Sequence, residues 1–586
     1  MKVFWKYLKQ VWPLLLSSVT CIAIESLADL LQPSLLADIV DIGVKNNDMD
    51  YILRTAAIML AIVVLTAFAA VGRNIFSSRG SERAGFLMRR DLYRKIQELS
   101  PDELDRFGPG TLMTRMTNDV TQLQNLSHSM MRVFIKAPIL CVGGIIMSFR
   151  LNPSLGMIPL ILVPIIFGVI FLNLKIGFPL YGKVQNALDR VNTVMREYLS
   201  GVRVVKAFNR FKYEVRRFSG PNEDLKRTSI TASRVMSIFN PTVTLIIYFG
   251  IVMIFWRGGI KVNDGVMQAG DIIAFYSYMT QILQSLNMFS MIFNRIVRAK
   301  ASCVRISEVL DSTQLQHKPE KPEKLDYNKG IRFENVTFSY RGKKPALKNI
   351  SFTCDVGEKV GIIGSTGSGK TTLISLILQF YQPTEGKIEI FGADATKSDP
   401  REVRDSLAVV PQRVMLFTGT ILENLLWGKE DATQEEVEAA TRAACAHDFI
   451  SGFVEGYDTM IGHSGVNLSG GQRQRIAIAR ALIKKPRILI LDDCLSAVDA
   501  LTEASIRQSL AEEAHERGLL IVSQKISSII DCDRIVVLDD GCAAGVGTHQ
   551  ELLASCQVYR DIYQSQYGKE ALAENAAHGR EAMANG

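Results

Sequence analysis

The chain changes character along its length. Up to about residue 294 it carries repeated long apolar runs; beyond that, short apolar stretches alternate with polar ones, as in an α/β protein. Six runs come near the ~20 residues that cross a bilayer as a helix. They lie at about 13–40, 51–76, 133–149, 155–176, 238–256 and 271–293. Short segments (KNNDMD, RLNPS, RGGIKVNDG) alternate with two long ones, 77–132 and 177–237. The long ones keep helical periodicity, as in SERAGFLMRRDLYRKIQELS, so the spans are expected to continue as helices well outside the membrane. An even number of spans returns the chain to its starting side. Residues 311–330, DSTQLQHKPEKPEKLDYNKG, read as a linker, and the alternating strand IRFENVTFSY opens a second domain at 331–569. The last residues, 570–586, have no apolar stripe to bury and read as a flexible tail.

Composition supports a membrane protein, with 47% hydrophobic residues in 586. The net charge of +8 comes from Lys and Arg gathered between Arg73 and Arg106 and between Arg196 and Arg234. Such clusters suit nucleic acid, but both lie in the long loops, where the positive-inside rule places them on the cytoplasmic face. The reading is therefore no nucleic acid, contact with membrane lipid, and both termini cytoplasmic in a bacterial cytoplasmic membrane. The nine cysteines show no metal-ligand spacing and read as reduced thiols. The first apolar run is long and carries acids, so it reads as a span and not as a cleaved leader.

Polar residues inside spans ask for partners. Glu25 and Asp29 share one helix face, with Gln32 a turn further. Either they line a cavity for a cationic or amphipathic substrate, or they form a structural pair answered by a cation such as Lys136. The last span has a similar face: Ser277, Gln281, Gln284 and Ser285. Gln281 and Gln284 join the cavity candidates.

The strongest local signal is VGIIGSTGSGKTTL at 360–373. It fits GxxxxGK(S/T), follows an apolar strand and precedes a helical pattern, the context a P-loop requires. Residues Gly364, Ser365, Thr366, Gly367, Ser368 and Gly369 would wrap phosphates with backbone N–H groups, aided by the helix N-terminus. Lys370 would reach the outer phosphates; Thr371 would ligate Mg²⁺, with Thr372 beside it. In RILILDDCLSAVDA, at 487–500, a second buried strand ends on Asp492, placed to hold Mg²⁺. ATP and Mg²⁺ are thus the expected cofactors. The fold class follows: a multidomain chain with an all-α six-helix transmembrane domain (1–310), then an α/β P-loop nucleotide-binding domain.

LSGGQRQRIAIARAL, at 468–482, lies between the P-loop and the Asp-ended strand. In that order the motifs resemble ATP-binding cassette exporters, specifically half-transporters with six spans fused to one nucleotide domain. The resemblance implies an ATP-hydrolysing translocase working by alternating access. It implies that Tyr340, in FSYRG, stacks on adenine (otherwise a strand-end core tyrosine), and that Gln412 touches Mg²⁺ and the attacking water (otherwise a loop amide). Two nucleotide domains would pack head to tail, so that Ser469, Gly470, Gly471 and Gln472 act on the partner's ATP, and Ser496 and Asp499 lie at the interface. The two long loops would end in coupling helices near 118–125 and 209–217.

Two positions depart from the family. Asp493 stands where most active members have the glutamate that polarises water, and Gln524 stands where they have histidine. His463 replaces a frequent glutamate ahead of the signature. A carboxylate one methylene shorter sits about 1 Å back, and glutamine cannot become a cation. Both changes weaken the same chemistry, so ATP on this P-loop is expected to bind and to be hydrolysed slowly. The expected partner is a second half-transporter in a heterodimer, with a small-molecule substrate of multidrug or amphiphile type. The alternatives are a homodimer with weak Asp-based catalysis and an ATP-gated regulator or channel.

Overall fold

The computed structural model describes residues 1–568 apart from 314–315, 317–318, 341–343, 463–464, 496–497 and 514–516. The expected tail 570–586, Ser496 and His463 lie outside the described residues. The chain forms two compact units: Met1–Gln97 with Phe107–Thr313, and Glu98–Arg106 with the chain from 314 on.

The first unit is helical. Its long helices are Trp12–Asp38, Met49–Glu98, Lys136–Leu151, Pro153–Ser200, Phe239–Asn263 and Ala269–Leu310. Met49–Glu98 has 50 residues, roughly 75 Å at 1.5 Å per residue, more than twice the ~30 Å hydrocarbon core. Among the described residues, five helical stretches are long and apolar enough to cross a membrane: Trp12–Val44, Met49–Glu98, Pro109–Leu151, Pro153–Ser200 and Phe211–Asn263. The sixth expected span falls on Ala269–Leu310, which is not among the five. Packing explains its greater polarity. Ala274, Phe275, Tyr278, Met279, Ile282 and Leu286 are all buried against neighbouring helices. Its polar groups are met inside the bundle: Tyr278 Oη donates to the Leu30 carbonyl (2.9 Å) and Gln281 Nε2 to the Asp29 carbonyl (2.8 Å).

The expected coupling tips are displaced. Residues 118–125 lie within a continuous helical run, a π-helical turn Arg115–Asp119 leading into Val120–Ser129. The chain breaks earlier, at the short helices Pro101–Phe107 and Pro109–Thr114, because Gly108 has φ +73° and Pro109 cannot continue a helix. In the second loop the short helix is Val202–Ala207, closed by Asn209 at φ +50°.

Three helices meet at a buried charge cluster. Lys136 Nζ lies 2.6 Å from Glu25 and 2.9 Å from Asp29, and Arg73 Nε lies 3.0 Å from Glu25. Only 8% of the Glu25 side chain is exposed. Removing one member leaves buried charge without its counter-charge. Glu25→Ala is therefore expected to cost about 3–5 kcal/mol, seen as a lower unfolding midpoint of the solubilised chain, with a smaller loss for Glu25→Gln. An unchanged midpoint for Glu25→Ala would show that the cluster does not hold the helices together.

Among its described residues the second unit contains three sheets. A four-stranded antiparallel sheet has the order β2 (Leu347–Cys354), β1 (Ile331–Phe338), β4 (Glu385–Ile390), β5 (Ala393–Asp394). A six-stranded sheet has the order β12 (Cys542–Gly547), β11 (Arg534–Asp539), β3 (Lys359–Gly364), β10 (Gly518–Ser523), β9 (Ile488–Asp492), β6 (Leu407–Val410). The short strands β7 (Gly419–Thr420) and β8 (Met460–Ile461) pair separately. From β11 to β6 the six-stranded sheet is parallel; β12 is antiparallel at its edge. Strands β9 and β10 are buried throughout, one face on each of two apolar cores, which is why they read as unbroken apolar runs.

Candidate functional site

Four parallel strands, β3, β10, β9 and β6, end side by side. Their register pairs Ser523 with Ile363, Asp492 with Val522, and Val410 with Leu491. Neighbouring strands are about 4.8 Å apart, so four strand ends span roughly 14 Å. The loop after β3 starts the P-loop, β10 leads to Gln524, β9 ends on Asp492, and β6 leads to Gln412. Motifs far apart in sequence thus reach one edge of one sheet.

There they line a cavity of about 210 Å³, whose walls include Thr366, Gly367, Lys370, Gln412, Asp492 and Gln524. Gly369, Thr371, Thr372 and Asp493 line it too. The loop's shape needs glycine at two places. Gly369 has φ +104°, and a Cβ there would meet Leu347 at 2.6 Å; a Cβ on Gly364 would lie 2.3 Å from the Leu538 carbonyl oxygen. Lys370 starts the helix Lys370–Ile377 and folds back over the loop, donating to the carbonyls of Gly364 (2.8 Å) and Ser365 (2.7 Å).

Burial pushes the Lys370 ammonium below its ordinary range, against the pull of Asp493 and Asp492. Burial pushes the Asp492 carboxyl up, and Asp493 beside it adds to the shift. Asp493 is raised by burial as well. The three charges therefore do not fully compensate one another. Asp493 itself sits at φ +44°, its N–H donating to the Val522 carbonyl (2.7 Å). Its Oδ2 accepts from Gln412 Nε2 at 3.2 Å and, at a long 3.5 Å, from Gln524 Nε2.

The residues lining the cavity do not include the 469–472 motif. Ser469 caps the helix Gly470–Ile483: its Oγ accepts from the Gln472 N–H (3.2 Å), and Gln472 Oε1 accepts from the Ser469 N–H (2.9 Å). Comparison with known proteins gives this layout a family. A family profile described as ABC transporter transmembrane region matches residues 15–286, and a second, ABC transporter, matches residues 347–496. The ABC transporter ATP-binding protein YfiB of Bacillus subtilis is 38% identical over 93% of this chain and 95% of that protein. The chain belongs to the ABC transporter family. The ATP-dependent lipid A-core flippase of Salmonella typhimurium is 31% identical over 96% of this chain and 98% of that one. In fold the chain matches a bacterial Atm1-family ABC exporter with ATP bound: TM-score 0.79, 24% identity, 95% of this chain and 98% of that chain covered.

Other candidate residues of this ABC transporter chain fall elsewhere. Tyr340 does not line the cavity; its hydroxyl donates to Thr372 Oγ1 (3.2 Å), and its ring packs edge-on against Phe338 and Tyr381. Asp499 Oδ1 accepts from the Thr502 N–H (3.0 Å), a bond that holds its carboxyl below the usual range. Glu25 and Asp29 are occupied by Lys136 and Arg73, Gln32 is half-buried, Gln281 is bonded to the backbone of Asp29, and Gln284 is exposed.

Two supporting residues were not singled out from sequence. Buried Asn424 donates to the carbonyls of Phe417 and Thr420 and accepts from the Phe417 N–H, fixing the loop that follows Gln412. Gln566 donates to the Gln524 carbonyl (2.7 Å) and accepts from the Ile526 N–H (2.9 Å), tying down the Gln524 turn. Neither lies in a recognisable motif, and each acts across a gap in sequence. Asn424→Ala strands three backbone groups at about 1 kcal/mol or more each. The expected loss is about 3 kcal/mol in urea unfolding of the full chain; a loss under about 1 kcal/mol would mean that water replaces all three bonds.

Proposed function

We propose that this chain is one subunit of an ATP-driven exporter of amphiphiles, that it binds ATP and Mg²⁺ on a poorly hydrolytic site, and that a second half-transporter completes the machine. The observation that carries the reading is the state of Asp493. Its Oδ2 is held by two amides, Gln412 and Gln524. A general base needs a lone pair directed at water, and a charged neighbour to stabilise the developing anion helps. The Gln412 and Gln524 amides compete with water for this oxygen, and Gln524 is neutral where a histidine could carry charge.

Binding is a different matter. The buried Lys370 and the carboxylates beside it leave charges whose burial asks for a polyanion and a cation. Thr371, Asp492 and Gln412 offer hydroxyl, carboxylate and amide oxygens, a hard donor set that suits Mg²⁺. No cluster of three His, Cys, Asp or Glu occurs among the described residues, so the ion's remaining ligands would be phosphate and water. Mg²⁺, when bound, supplies neutralisation of charge on the phosphates. The loop from Gly364 to Gly369 orients the phosphates, and Tyr340 is the residue to swing toward adenine.

The capped signature helix supports a role toward another chain. Ser469, Gly470, Gly471 and Gln472 present an intact helix start that this chain's own cavity does not use. With it, Asp499 would face the partner. ATP would close the nucleotide domains and open the membrane cavity outward, and hydrolysis at the partner's site would reset it. The basic loops support cytoplasmic termini in a bacterial cytoplasmic membrane. The lipid A-core flippase among the relatives supports an amphiphilic substrate. The same intact signature also allows a homodimer with weak Asp-based catalysis.

ATP turnover of the purified full chain, alone and with the product of a neighbouring half-transporter gene, tests the reading. The pair is expected to exceed the single chain by a factor of about 100 or more. Brisk, substrate-stimulated turnover by the chain alone would refute the heterodimer and favour the homodimer. Independently, Asp493→Glu with Gln524→His is expected to raise the single chain's turnover about 100-fold. An unchanged rate would mean that these two positions do not limit the site.

A further inference from the structure

A second cavity, of about 380 Å³, lies within the helical unit. Its wall includes Asn125, His128, Ser129, Arg132, Val133 and Arg295. None of these is an acid. From the lining we infer that this chain binds an anionic amphiphile: a phosphate or carboxylate headgroup held by Arg132 and Arg295, with an apolar tail running along Val133 and Ile292 into the bilayer. This rests on the export reading above and replaces its open substrate class with a charged one.

Charge arithmetic is the first support. Two acids of the bundle, Glu25 and Asp29, are matched by Lys136 and Arg73. Arg132 and Arg295 then add two positive charges to the cavity without adding an acid. Glu82, on the neighbouring helix, keeps its negative charge, since its partner Gln124 (2.6 Å) is a neutral amide; Gln124 in turn accepts from Arg89, a further cation. Arginine does not deprotonate in proteins, so these two positive charges persist at any working pH.

Local geometry is the second support. Arg132 sits in the π-helical turn Met130–Phe134, and such turns redirect side chains at functional sites. Its Nη1 donates to His128 Nε2 (3.0 Å), while its Nε is buried with no hydrogen-bond partner among the described residues. Buried donors without acceptors are uncommon and point to a missing acceptor. Arg295 donates to Ser129 Oγ, which sets its guanidinium on the opposite wall. Asn125 adds an amide. The cavity borders the start of the third expected span, and basic pockets between helices at a membrane surface take anionic headgroups. A cationic substrate would meet two like charges there.

Equilibrium binding to the purified full chain in nanodiscs, without ATP, tests this. The probes are fluorescent phosphatidylglycerol, phosphatidylcholine with the same chains and label, and water-soluble naphthyl phosphate as competitor. Phosphatidylglycerol is expected to bind at least about tenfold tighter than phosphatidylcholine, and Arg132→Gln and Arg295→Gln are each expected to weaken it about tenfold. Arg132→Lys keeps the charge and should keep most of the affinity, which separates a lost contact from a misfolded variant; Arg295 is exposed, so its variant should fold. Competition by naphthyl phosphate would assign the site to soluble organic anions, and its absence to lipids; both support an anion site. Equal affinity for the two lipids, or full affinity in the Arg132→Gln, Arg295→Gln double variant, would overturn the proposal. Because no ATP is present, that failure would leave the turnover comparison intact, and a failed turnover comparison would leave this one readable.

Discussion

The parallel register of β3, β10, β9 and β6 is the constraint on which the nucleotide site depends. Parallel strands must all end at the same edge, and burial on both faces fixes their order and phase, because a one-residue slip would turn every side chain to the wrong core. The P-loop, Gln524, Asp492 and Gln412 are consequences of where those strands stop. Asn424 and Gln566 then hold the loops after β6 and β10 at distances the strands alone do not set. A change in the core under β9 or β10 would therefore reach the site as a displacement of whole motifs, without touching a motif residue.

Both units bury charge, and they settle it differently. Around Glu25 the cluster is closed: two acids face two cations within 3.0 Å. The sequence pattern that made Glu25 and Asp29 look like a substrate face is satisfied from inside the bundle. Around Lys370 the account is open, since burial shifts lysine and aspartates alike toward their neutral forms. Closed clusters hold helices together; open ones are completed by a ligand. Arg132 and Arg295 belong with the second kind.

The legibility of the sequence follows the same division. The P-loop, Asp492 and the signature could be read directly, because their chemistry needs contiguous residues next to a strand or helix end. The long helices could be read from apolar length, and the five most apolar stretches meet that criterion. The sixth helix was harder, because its environment is other helices more than lipid. The coupling helix expected near 118–125 falls inside a longer helical run, and the chain break lies earlier, where Gly108 and Pro109 carry the signal for it. In sequence Arg132 reads as one more basic loop residue, and Arg295 lies just past an expected span. Only the packing of the sixth helix against the π-turn makes them neighbours.

A helix N-terminus leaves its first N–H groups without intrahelical partners. Ser469 satisfies one of them, that of Gln472, and the glycines before it carry no side chain to hinder approach. Such an end gains from meeting an anion, whatever the chemistry on the same chain's P-loop. The signature and the Asp493 site are thus under separate physical demands. Shortening the carboxylate and losing the histidine at one site leaves the other untouched, so a chain can lose hydrolysis on its own ATP while keeping all that a partner's ATP requires.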